Sequence, residues 1–155
     1  HSRRMTQRIL FVCLGNICRS PSAEGVVRVK AAQRGINLDL DSAGTGDWHV
    51  GEPPYGPMQN AAKARGYDLS GLRARVVRVE DFGDFDLIIA MDADNMANLR
   101  RMRPEGGAEV KLFTDFAPEG SGWTEVPDPY YTRDFDGALD LVEACADGLL
   151  NALSR

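Results

Sequence analysis

The chain has no apolar stretch near the roughly 20 residues that a membrane-spanning helix needs. Its densest early run, Ile9 to Val12, is also too short for a signal-peptide core. No membrane partner is therefore expected. Positive charge is in deficit, with 18 Lys and Arg against 23 Asp and Glu and a formal net charge of -5. That balance argues against a broad basic surface for nucleic acid or anionic lipid, so any anion has to be captured locally. Cysteine is scarce and odd in number, three in 155 residues. Free thiols in a reducing compartment, the cytoplasm, fit this count better than a disulfide scaffold. Internal repeats and linkers are missing too, and 43% hydrophobic content over this length suffices for one core. Residues 1–7 read as a disordered arm or expression remnant, with no function assigned to His1 to Arg4, and residues 8–155 as a single domain.

What is present is organised around residues 9–21. Ile9-Leu10-Phe11-Val12-Cys13 has the apolar character of a central parallel strand. Ser20 as N-cap and Pro21 in the first turn predict a helix start. The loop between them then sits at a strand's carboxyl end, where open α/β sheets bind ligands and where the first helical N–H groups attract anions.

Strand-like and helix-like segments alternate along the rest of the chain. Ala23, Val26, Val27 and Ala31 recur at helical spacing up to a left-handed cap at Gly35. Leu38 to Ala43 alternates like an edge strand, and Gly44 to Gly51 has loop composition and carries Trp48. A second helix ends at Gly66, and Arg73 to Val79 fits neither period. Asp86 to Ala90 is strand-like, and Asp92 is placed to cap a helix with Met96, Leu99 and Met102 on one face before Pro104. Val110 to Phe113 predicts another strand, followed by a long Pro- and Gly-rich connection, and Phe135 to Leu153 predicts an amphipathic helix. This order predicts a three-layer α/β fold of about four parallel strands with helices on both faces.

Cys13 and Arg19 enclose five residues, a spacing that closes a cradle around one phosphate. Backbone N–H groups from Leu14, Gly15, Asn16, Ile17 and Cys18 to Arg19 are able to converge on the phosphate oxygens, with Gly15 and Asn16 tolerating unusual backbone angles. Helix N-terminus, N–H groups and guanidinium all favour negative charge, which predicts Cys13 as a thiolate at neutral pH. Arg19 supplies a planar two-point clamp, and Ser20 is placed to donate to the sulfur. Cysteine at a strand end is by itself ordinary core, and Cys145 on an apolar helix face is read that way outright. For Cys13 the strand-loop-helix context favours chemistry. Asp128 between Pro127 and Pro129 has the position of a restrained general acid or of a plain turn former. Trp48, Tyr130 and Tyr131 are candidate walls for a substrate ring, or loop aromatics that cap the core.

Val12-Cys13-Leu14-Gly15-Asn16-Ile17-Cys18-Arg19-Ser20-Pro21 closely resembles the signature of low-molecular-weight protein tyrosine phosphatases. The resemblance continues through Asp41-Ser42-Ala43-Gly44-Thr45, Trp48, Met91-Asp92 and Asp128-Pro129-Tyr130-Tyr131. It implies a flavodoxin-like, phosphotyrosine phosphatase I-like fold and a hydrolase that acts on tyrosine-phosphorylated proteins and small aryl phosphates. It also implies a cysteinyl-phosphate intermediate, no cofactor, no metal and a monomer. By the same resemblance Cys13 is the nucleophile, Arg19 the phosphate clamp and Asp128 the general acid. Asn16, Ser20 and Ser42 then form a hydrogen-bond network that shapes the loop. Leu72 departs from the family, many members of which place a histidine there, so that network is expected to lack one partner. Cys18, sharing the loop with Cys13, suggests a redox-sensitive pair. The alternatives are a thiol-dependent arsenate reductase, for which the second half supplies only Cys145, and a non-catalytic phosphate or phosphopeptide-binding module.

Overall fold

The computed structural model describes residues 6–154. Residues 1–5 and Arg155 lie outside the described residues. The arm expected at 1–7 therefore falls mostly there, but its far end does not, because Gln7 already pairs with Leu38 in the sheet.

Four parallel strands, β1 (Gln7–Cys13), β2 (Leu38–Gly44), β3 (Leu87–Ala90) and β4 (Glu109–Leu112), lie in the order β2-β1-β3-β4 among the described residues. Helices α1 (Arg19–Arg34), α2 (Gly56–Ala64), α3 (Asp81–Asp84), α4 (Ala93–Met102), α5 (Pro129–Thr132) and α6 (Phe135–Leu153) connect and cover them, with a 3₁₀ turn at Phe113–Phe116. The strand period of two sorts β1 between two cores. Ile9 and Phe11 face the layer of α1 and α6, where Val26, Leu139, Val142 and Leu149 are fully buried or nearly so. Leu10 and Val12 face the opposite layer with Phe82, Phe85 and Leu99. Cys13 continues the Ile9 side, which aims its sulfur toward the start of α1.

The strand order positions the site. From β1 the chain crosses through α1 to β2 on one side, then returns to place β3 on the other. The two connections diverge at the carboxyl ends of β1 and β3 and leave a crevice there. The loop after β1 and Met91-Asp92 after β3 flank this crevice. Gly35 closes α1 in the left-handed region with φ 70°, as its sequence position predicts, and Asp92 caps α4 by accepting from the Asn95 N–H. Ser20 does not cap α1. Cys18 occupies the N-cap, Ser20 lies inside the first turn, and its hydroxyl turns inward.

Candidate active site

Residues 13–19 form a loop whose carbonyls are anchored from outside. Cys13 O, Leu14 O and Ile17 O accept from the N–H groups of Thr45, Gly46 and Tyr55, each at 2.9 Å. In a planar trans peptide the next N–H points the opposite way, so those of Leu14, Gly15 and Cys18 turn away from these partners and toward the cradle. Asn16 holds the left-handed turn, φ 57°, and its N–H lies 3.2 Å from Cys13 Sγ. Gly15 is not among the residues with positive φ. Its missing side chain matters through space instead, because a Cβ there would lie 3.1 Å from the His49 ring. Gly44 is the second tight position, since a Cβ would meet Leu14 O at 2.8 Å and push β2 off the loop.

The sulfur and the guanidinium are both buried. Ser20 Oγ lies 3.0 Å from Cys13 Sγ and also accepts from Asn16 Nδ2 at 2.8 Å. The second Asn16 N–H reaches Ser42 Oγ at 2.9 Å, and the Arg75 N–H holds Asn16 Oδ1 at 3.0 Å. The side chains of Asn16, Ser20 and Ser42 therefore sit beneath the cradle, not on its surface. Leu72 is partly buried against the apolar core and brings no polar group to this network.

Arg19 Nη1 uses both of its protons on protein, donating to Asp92 Oδ2 at 2.7 Å and Val126 O at 2.9 Å. Its Nη2 faces Asp128 Oδ2 at 3.6 Å. Burial works against the Arg19 charge, but Cys13, Asp92 and Asp128 together outweigh it and push its pKa up. Asp92 is thus both cap of α4 and orienter of Arg19, one carboxylate oxygen for each. Burial, reinforced by Cys13 and Asp128, pushes the Cys18 thiol up to about 12, and burial alone does the same to Cys145.

A cavity of about 360 Å³ opens above the loop. Cys13, Cys18 and Arg19 form its floor, Leu14, Gly15 and Ile17 one side, and Asp128, Tyr130 and Tyr131 the other, with Trp48 and His49 at the rim. Asp128 caps α5, its Oδ1 accepting from the Tyr130 N–H, which leaves Oδ2 toward Arg19. Tyr130 stacks at an angle on Tyr55 with centroids 5.1 Å apart and meets Tyr131 edge-on at 5.3 Å, while Trp48 and Tyr131 remain 68% and 72% exposed. His49, which sequence reasoning passed over, pairs through Nδ1 with Glu52 at 3.1 Å. Its neighbour Trp48 was the available signal.

An α/β sheet with an anion cradle at its switch point, a thiol at the base and an arginine beside it defines the class of cysteine-centred phosphate-site proteins. Residues 8–155 match the family described as low molecular weight phosphotyrosine protein phosphatase. A curated relative, the low molecular weight protein-tyrosine-phosphatase YfkJ of Bacillus subtilis, is 42% identical over 150 residues, 95% of this chain and 96% of its own. The crystal structure of YfkJ superposes with a TM-score of 0.92 at 41% identity, covering 99% of this chain and 98% of the other. That of a protein tyrosine phosphatase from Entamoeba histolytica gives 0.91 at 37% identity, over 96% and 97%. The chain belongs to the low molecular weight phosphotyrosine protein phosphatase family, and it is a phosphatase.

Proposed function

We propose that the protein hydrolyses phosphotyrosine in proteins, and small aryl phosphates, with Cys13 as nucleophile. The observation that carries this reading is the meeting of Cys13, Arg19 and Asp128 on one cavity between aromatic walls. The Cys13 thiolate attacks phosphorus in line, and the bond to the tyrosyl oxygen breaks as Asp128 gives that oxygen its proton. Asp128, now a carboxylate, takes a proton from water as the water oxygen attacks the cysteinyl-phosphate, releasing inorganic phosphate and the thiolate. Arg19 and the loop N–H groups carry the equatorial charge in both steps. No step calls on a metal or cofactor. Turnover of para-nitrophenyl phosphate and of a phosphotyrosine peptide tests the reading, and binding without turnover would leave the phosphopeptide-binding module. All contributing groups come from one chain, so the proposal extends to a monomer acting on phosphoproteins, with neither nucleic acid nor membrane as partner, in the reducing cytoplasm.

Arg19→Lys is expected to lower kcat/KM by about 10² to 10³-fold. A lysine places a point charge in the site but loses the fork that Asp92 and Val126 hold in register. Near-normal kcat/KM would remove Arg19 from the role of clamp.

Peroxide is expected to inactivate the enzyme by oxidising Cys13 to a sulfenic acid, which Cys18 then condenses with to form a disulfide and water. The attacking species is the Cys18 thiolate, and burial holds that thiol near 12. Capture should therefore quicken about tenfold for each pH unit between 7 and 9. Mass spectrometry of the peroxide-treated protein across this range measures the Cys13–Cys18 linkage, and a linkage yield independent of pH would count against Cys18 as the resolving group.

A further inference from the structure

Asn16, Ser20 and Ser42 account for most of the polar atoms beneath the cradle, but their network does not end with them. Ser42 Oγ donates to Glu24 Oε1 at 2.8 Å, and Glu24 Oε2 accepts from Arg28 Nη2 at 2.7 Å. Glu24 is only 3% exposed, a carboxylate on the buried side of α1. A buried carboxylate with no use is costly, and burial raises the pKa of this one despite the opposing bonds from Arg28 and Ser42.

The direction of each bond follows from the donor inventory. An ionised carboxylate only accepts, so Ser42 has to spend its single proton on Glu24. Ser42 then meets Asn16 with a lone pair, which takes one amide N–H. The Arg75 N–H holds the amide oxygen, so the other amide N–H goes to Ser20. With a lone pair filled, Ser20 has its proton left for Cys13 Sγ at 3.0 Å, against Ala43 O at 3.4 Å. We propose that Glu24, held by Arg28, is a positioning residue that fixes the Ser42 hydroxyl and, through it, the Asn16 amide whose oxygen the Arg75 N–H holds, and so keeps the Ser20 hydroxyl aimed at Cys13 Sγ. The charged groups around Glu24 are Arg28 on its own helix and Asp41 on β2, the latter paired with Arg75 from the segment packed outside β2. Arg28 thus supplies the cation at the outer end of a network to which Leu72 contributes none.

The proposal rests on Cys13 being the nucleophile, but its test does not require turnover. Iodoacetate alkylation of Cys13 reports the thiolate directly, with mass mapping to separate it from Cys18 and Cys145. Glu24→Leu should slow alkylation about tenfold at pH 6 and shift the rate profile to higher pH, as expected for a weakened hydrogen bond to a charged group. Glu24→Gln, which keeps an acceptor for Ser42, should stay within about threefold of the parent. Glu24→Met, which likewise offers Ser42 no carboxylate or amide oxygen, should slow the reaction in the same direction as Glu24→Leu and gives a second reading if that variant folds poorly. In a Ser42→Ala background, Glu24→Leu should add nothing. A bare charge effect has the opposite sign, since removing a negative group eases ionisation of a nearby thiol. Alkylation of Glu24→Leu or Glu24→Met at or above the parent rate, or a full Glu24 effect without the Ser42 hydroxyl, would overturn the proposal. Parent-level turnover by Cys13→Ser would instead overturn the nucleophile and leave the thiol measurements standing.

Discussion

Cys13→Ser is expected to lose turnover by on the order of 10⁵-fold or more while inorganic phosphate still binds. The substitution exchanges one sulfur for oxygen at the floor of the cavity and leaves the loop carbonyl anchors at Thr45, Gly46 and Tyr55 in place. The N–H groups they orient, and the Arg19 fork, therefore still meet an anion. What is lost is the ionised nucleophile, because a serine hydroxyl at this position meets the Ser20 hydroxyl and the Asn16 N–H, neither of them a base to take its proton. Titration calorimetry with phosphate, alongside hydrolysis of a phosphotyrosine peptide, separates the two effects. Appreciable residual hydrolysis would remove Cys13 as nucleophile, and loss of phosphate binding would show that the sulfur helps to build the cradle.

Elements with enough residues to show a period were legible. β1, α1 with its Gly35 cap, α4 behind Asp92, and α6 lie where their apolar spacing put them. The four-residue helices α3 and α5 span barely one turn, too little for any periodicity to register. The segment around Arg73 to Val79 stayed ambiguous for a different reason. Its backbone is organised by distant partners, with Gly44 N donating to Arg75 O and Val77 N to Gly44 O, and with the Arg75 guanidinium joining Asp41 to Asp81. No local pattern encodes those bonds. At the loop, the expected N-cap role of Ser20 gave way because its hydroxyl had a buried partner in Cys13.

The site divides along the same line. Cys13 and Arg19 were legible because five residues and a strand-helix context bring them together locally. Asp92 was legible as a cap and not as the holder of Arg19, since that contact spans 73 residues. Glu24 left a weaker trace: Ser20, Glu24 and Arg28 recur every four residues, so the helix carries a polar stripe on a face that also buries Ala23 and Val27. A charged residue on an apolar face is the signal that marks such a position in advance.

Asp128→Asn is expected to lose about 10² to 10⁴-fold on phosphotyrosine and far less on para-nitrophenyl phosphate. Asparagine matches the shape of aspartate and keeps an oxygen to cap α5 through the Tyr130 N–H, so the loop should hold its course. It has no proton to give. Tyrosine, with a pKa of about 10, is a poor leaving group as an anion, whereas nitrophenolate departs without help. The ratio of the two losses therefore measures proton donation itself and cancels any shared effect of misfolding or weakened binding. The variant also removes a carboxylate 3.6 Å from Arg19 Nη2, which should if anything free the guanidinium for phosphate and leave KM unchanged or lower. Equal losses on both substrates, or a raised KM with unchanged kcat, would place Asp128 among the residues that shape the loop and leave the leaving group without an assigned acid.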